Sequence, residues 1–189
     1  MSDEEKAERR KDEGTKAYKA GQYADALRLY GEAIKLIPTS ATYIFNRAAA
    51  QMALKRYRAA EEDCQSVVTM QKADPSAKTL ARLGKCQLAL GKVDHAVATL
   101  ESAIALEADN ASAKADLAKC REVMADVGNI ERDRGRKDWA MVSMGVDRIS
   151  RKVEDVPLQW RIWRLEALLG RKPPRIDEAT TLAKCVESM

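Results

Sequence analysis

Apolar and polar positions alternate at helical spacing along nearly the whole chain. Residues 41–70 read as two amphipathic runs joined at Lys55–Arg56. Small residues fall where the two runs must touch: Ala48 in the first, Ala60 and Val67 in the second. Tyr57 opens the second run, where it can wedge between them. Upstream, residues 3–20 read as a helix whose first turn is acidic (Asp3, Glu4, Glu5), the sign that suits a helix N-terminus. Gly14 interrupts it at a cost of ~1 kcal/mol against Ala, which the close approach of a second helix would explain. A turn at Gly21 leads to a helix over about 23–37, with Tyr23, Ala26, Tyr30 and Ala33 on one face. Pro38, which cannot continue a helix, ends it.

The pattern repeats. A shift of 34 residues carries Gly14 to Ala48, Tyr23 to Tyr57, Ala26 to Ala60 and Ala33 to Val67. The next step is 36, to Gly84, with Gly91, Val93, Ala96 and Ala103 in phase; the two extra residues fall around Ala73–Pro75. A further 34 predicts a fourth small contact at Ala118. Beyond it the phase slips. Trp139 takes the place of Tyr23 and Tyr57 but arrives 12 residues late, so the preceding helix, about 111–136, is predicted to be longer by ~3 turns. Gly128 is expected to weaken or kink it. Pro157 opens another helix, LQWRIWRLEALLG, the loop RKPPR follows, and IDEATTLAKCVESM closes the chain. The expectation is five hairpins: three regular over 1–110, a long connecting helix over 111–136, and degenerate hairpins over 137–189. A single hairpin leaves one apolar face uncovered and stacking buries it, so these units form an all-α solenoid of antiparallel helix pairs. No polar capping helix follows the last one, which suggests a piece of something longer.

Composition agrees with this picture. Only 5 Pro and 9 Gly in 189 residues, with little β-branched alternation, favour an all-α chain, and much of the 46% hydrophobic content is Ala, which suits close helix packing. The 33 basic and 29 acidic residues give a net charge of +4, a mixed surface that does not by itself predict nucleic-acid binding. The basic segments ERDRGRKDW and RKPPR lack the interleaved aromatics of a stacking platform. No apolar run approaches ~20 residues, so no membrane span is predicted. The charged start MSDEEKAERRKDEG has no apolar signal core, which points to a cytoplasmic location, with the nucleus as the alternative.

Catalytic chemistry finds little support. His95 is the sole histidine, and neither a G-x-S-x-G nor a phosphate-cradling loop occurs, so no enzyme and no cofactor are predicted. Cys64, Cys86, Cys120 and Cys185 form no C-x-x-C pair and read as reduced, buried small hydrophobes. Cys86 and Cys120 share a repeat position, but no third ligand accompanies His95, so no metal site is expected. The pair Glu61–Glu62 reads as solvated surface charge.

The recurring order is Gly or Ala, Gly or a polar residue seven later, Tyr two after that, then Ala, Ala and Pro. It resembles the tetratricopeptide repeat over residues 5–125, most strongly over 8–110. The resemblance implies a right-handed superhelix in which the first helices of successive repeats line a concave groove. Lys11 and Thr15 then share a face of the first such helix, Asn46 lies on the second, and Lys78 and Arg82 share a face of the third. Cations and an amide gathered from three neighbouring helices make a seat for carboxylates. This set resembles the carboxylate clamp of co-chaperone repeat domains, which grips the C-terminal EEVD tail of the 70-kDa and 90-kDa heat-shock chaperones. Lys11, Asn46, Lys78 and Arg82 match that motif, while Thr15 stands where the family has Asn. Side-chain pockets would be lined by Ala49, Met52, Lys85 and Leu88. The stretches NRAAAQMALKRYRAAEEDC, GKCQLALG and KDWAMVSMGVDRI, with the LEALLGR helix, are similar to the J-domain co-chaperones with N-terminal tetratricopeptide repeats. That family has a long helix after its third repeat and a C-terminal J domain with an HPD signature, which is absent from these 189 residues. The resemblance implies a co-chaperone adaptor. The alternative is a general scaffold that holds a different partner in the same groove.

Overall fold

The computed structural model describes residues 2–72, 74–171 and 174–187, with side chains to residue 184. Among these residues there are ten helices and no strand: α1 Asp3–Lys19, α2 Tyr23–Leu36, α3 Ala41–Ala53, α4 Tyr57–Met70, α5 Ala77–Ala89, α6 Val93–Leu106, α7 Ala111–Gly135, α8 Trp139–Ser150, α9 Leu158–Gly170 and α10 Ile176–Glu187. Each helix packs on the next, and first helices of neighbouring pairs also touch, α1 on α3 and α5 on α7. The described residues form an all-α solenoid of antiparallel helix pairs.

Short-range chemistry sets the helix ends. Ser2 and Glu5 form a reciprocal capping box on α1, and Asn110 and Asp138 accept from backbone N–H groups at the starts of α7 and α8. The first four hairpin turns share one device. Gly21, Lys55, Gly91 and Lys137 each sit at positive φ, between 58° and 76°. The next residue's N–H reaches back to the carbonyls of Ala17, Gln51, Gln87 and Asp133 respectively. This satisfies carbonyls that a helix end leaves unpaired. The second helix of each pair then starts two residues on, at Tyr23, Tyr57, Val93 and Trp139.

Within pairs, close approach replaces bulk. A Cβ added at Gly14 would lie 2.8 Å from the Tyr30 ring, and one at Gly84 would lie 2.6 Å from Leu100 Cγ. Ala48, Ala60, Ala96 and Ala103 are fully buried. One expectation needs correction. Ala118 faces solvent; the fully buried small residue there is Cys120, 36 beyond Gly84. Helix α7 is continuous through Gly128. Beyond Gly128 the partition reverses: a large residue on the first helix, Ile130, fills the space left by Gly145 on the second. The RKPPR loop falls partly outside the described residues, at 172–173, as does the end of the last helix at 188–189; Ala73 and the Cys185 side chain also lie outside them.

The length of α7 has a tertiary consequence. It has 25 residues against 13 in α5, an excess of 12, or ~18 Å of helix. Helix α8 returns along that excess, and its end is tied to the middle of α7 through Arg148–Asp126 (2.9 Å) and Lys152–Asp126 (3.1 Å). The segment 151–157 therefore reaches the elbow turns of the second and third hairpins. The N–H groups of Glu154 and Asp155 both donate to the Ala89 carbonyl, at 2.8 and 3.0 Å. Lys55 pairs with Glu154 (3.1 Å) and Arg58 with Asp155 (2.7 Å). Pro157 covers Gly91 so closely that a Cβ there would lie 2.4 Å from Pro157 Cγ.

Gly91 and Gly21 have similar backbone angles, yet nothing lies within 4 Å of a Cβ at Gly21. Gly21→Ala is expected to cost about 1–2 kcal/mol for the left-handed conformation alone. Gly91→Ala is expected to cost about 1–3 kcal/mol more for the clash with the 151–157 segment. Urea unfolding of the two variants measures the difference, and equal losses would mean that the segment is not docked.

Candidate functional site

The first helices of the repeats line a groove of about 470 Å³, bordered by Tyr18 from α1, Ala49 and Met52 from α3, Lys78, Arg82 and Lys85 from α5, and Asn110 and Ser112 at the start of α7. Its strongest feature is α5. Lys78, Arg82 and Lys85 lie four and three residues apart, which puts three cations on one helix face. Lys78 and Lys85 are exposed, and neither forms an ion pair among the described residues.

Arg82 is held in place. Its guanidinium lies 3.7 Å from the Phe45 ring centroid, and its Nη1 donates to the Phe45 carbonyl at 2.7 Å. Lys78 Nζ lies 5.6 Å from the same ring. Cation–π contact of this kind orders a charge without neutralising it. Burial lowers the Arg82 pKa from the ordinary guanidinium range, but a guanidinium starts so high that it remains charged near neutral pH. Asn46 follows Phe45 on α3, is half-buried, and makes no side-chain hydrogen bond among the described residues. Behind it, Arg47 forms a two-pronged pair with buried Asp63 (2.7 and 2.8 Å), which locks α3 to α4 and fixes the helix that presents Asn46.

The α1 side differs. Lys11 is paired with Glu8 and with Asp12, the latter at 2.8 Å. Asp12 first and Glu8 second raise its pKa above the usual lysine range. Glu8 is itself anchored across the helix boundary, accepting from the buried Tyr43 hydroxyl of α3 at 3.1 Å. Burial first, and Glu8 second, raise the Tyr43 pKa. Thr15 is occupied: its hydroxyl donates to the Lys11 carbonyl (2.9 Å) and accepts from Tyr30 (3.2 Å). The donor expected there for a ligand is used within the protein.

Ala49, Met52 and Lys85 border the groove. Leu88 does not. It is 5% exposed and belongs to the core shared by α5, α6 and α7, since position 88 lies roughly a quarter-turn round α5 from the face of 78, 82 and 85. Glu61 is also not simply solvated, being paired with Lys92 at 2.7 Å. Phe45 escaped the sequence reading although it is the one phenylalanine in the chain and adjoins Asn46. Its role depends on Arg82, 37 residues away, and no local pattern announces that contact.

A tetratricopeptide-repeat family profile matches residues 11–78. The first TPR of Spaghetti (RPAP3), solved bound to the HSP90 peptide SRMEEVD, is 31% identical; the match covers 66% of this chain and 97% of that one, with a TM-score of 0.62. The chain therefore belongs to the tetratricopeptide-repeat family. The TPR domain of P58(IPK) superposes on 96% of this chain and 50% of its own length, with a TM-score of 0.80 at 22% identity, a likeness of fold. Among curated relatives, the translocon at the outer membrane of chloroplasts 64 from Pisum sativum is 43% identical over 77 residues, 41% of this chain; that match spans 13% of the relative's length.

Among the described residues no group of three or more His, Cys, Asp or Glu could hold a metal ion, and no helix is long and apolar enough to cross a membrane. Cys64, Cys86 and Cys120 are buried free thiols. Burial pushes the Cys120 thiol up to about 11, and a hydrogen bond with Cys64 together with burial raises that of Cys86. The thiolate is the reactive form. Iodoacetamide at pH 8 should therefore leave all three unlabelled in the folded chain and label them in urea, as peptide mass spectrometry would show. Labelling of any one of them without denaturant would contradict the burial.

Proposed function

We propose that the chain is a co-chaperone adaptor whose groove holds the acidic C-terminal tail of a heat-shock chaperone, of the 70-kDa or the 90-kDa type. The observation that carries this reading is the cationic face of α5, free of paired carboxylates among the described residues, with Arg82 pre-set on Phe45, opening on a groove of about 470 Å³. The likeness to a repeat domain solved with an HSP90 peptide supports it. The role is that of a binding module, with no cofactor and no catalytic step, acting in the cytoplasm or nucleus. In this reading Lys78 and Lys85 meet ligand carboxylates directly, Arg82 and Asn46 orient them, and the apolar rim at Ala49 and Met52 receives a side chain. The finer kinship, with J-domain co-chaperones, is part of the proposal; an HPD-bearing domain in the full-length gene product would support it.

A micromolar complex requires about 8 kcal/mol in all, which a few charge-assisted contacts plus one filled pocket can supply. Fluorescence anisotropy with labelled SRMEEVD should show saturable binding that weakens as salt rises from low to physiological ionic strength. Lys78→Ala should weaken it by about tenfold or more, and amidating the peptide's C-terminus should weaken it too. If amidation and Lys78→Ala both leave affinity unchanged, the groove serves a different partner, and the scaffold reading replaces this one. Running the corresponding tail of the 70-kDa chaperone in parallel tells the two partners apart.

A further inference from the structure

The positions matched to the carboxylate clamp are charged differently on α5 and on α1. The α5 face carries three cations with no carboxylate paired to them among the described residues. Around Lys11, two carboxylates already surround one ammonium, so the local balance is negative. Glu8 is not a casual helix-surface partner, because the Tyr43 hydroxyl from α3 holds its second oxygen while Lys11 takes the first.

We propose that Glu8, anchored by Tyr43 and assisted by Asp12, is a built-in competitor that occupies Lys11 and restrains the groove's affinity for acidic peptides. This rests on the reading of the groove as a carboxylate-binding site. A ligand carboxylate arriving at Lys11 must either displace Glu8 from two partners at once or share the ammonium with two like charges. Like charges so placed oppose binding, and the removal of one should favour it. Recognition of ligand charge therefore falls to Lys78, Arg82 and Lys85. Lys11 contributes only when Glu8 lets go. Glu8 is thus an affinity-setting residue, not a contact residue.

The test uses this 189-residue chain and labelled SRMEEVD peptide. Glu8→Gln keeps an oxygen for Tyr43 but removes the charge, and it should tighten binding by about 3- to 10-fold. Glu13→Gln removes the same charge from the same helix. Glu13 pairs with Arg9 and Arg10 instead, so that variant should leave affinity unchanged, which separates a local competitor from a change in net charge. Lys11→Ala should cost less than about threefold in the native background but about tenfold with Glu8→Gln and Asp12→Asn present. Circular dichroism of each variant confirms that the fold is kept. If native chain binds and Glu8→Gln does not tighten it, or Lys11→Ala costs as much as Lys78→Ala, the competitor is refuted while the groove reading stands. If no variant binds peptide at all, both fall. Peptide binding by Glu8→Gln where the native chain shows none would support both.

Discussion

Everything in this molecule depends on how closely paired helices approach. Where Gly14 meets Tyr30 and Gly84 meets Leu100, there is no room for a single added carbon. Fully buried Ala48 holds the equivalent place in the second pair. Interiors packed at crystal-like density do not yield by fractions of an ångström without cost. These contacts therefore fix each hairpin's shape, and hairpin shape fixes where the next first-helix lies. The consequence reaches the groove. Phe45 and Arg82 belong to different repeats, and they stack at 3.7 Å only because α3 and α5 are delivered side by side. The groove surface is thus a by-product of small residues buried behind it.

That dependence explains which features could be read from the chain and which could not. Close contacts recur with the repeat, so they leave a period: Gly14, Ala48 and Gly84 announced the hairpins, and the 12-residue lag of Trp139 foretold the length of α7. The turn geometry was half visible, because Gly21 and Gly91 advertise positive φ while Lys55 and Lys137 adopt it without saying so. Extrapolating the period failed at Ala118. The spacing there is 36, not 34, and the buried place belongs to Cys120. Leu88 was misassigned for a related reason: it sits on α5 near Lys85, but it lies roughly a quarter-turn from the centre of the cationic face and is taken up by the core.

The site shows the same division. Residue types in repeat phase pointed to Lys11, Asn46, Lys78 and Arg82, yet phase gives only the face on which a residue lies. It does not give that residue's partners. Thr15 is engaged by Tyr30, and Lys11 by Glu8 through an anchor on another helix. Such pairings have no period, since each is made once. An apparent set of five equivalent positions is therefore uneven: α5 presents free charge, and α1 presents charge already spoken for.

Stacked repeats normally behave as a row in which each unit feels only its neighbours. The ties from Glu154 and Asp155 reach Ala89 and, nearly a hundred positions away, Lys55 and Arg58. They close the row into a braced arch. A bending load applied near the far end has a short cut to the second hairpin, bypassing the long helix between them. The curvature of the concave side is then held by a tie-rod as well as by the stones of the arch.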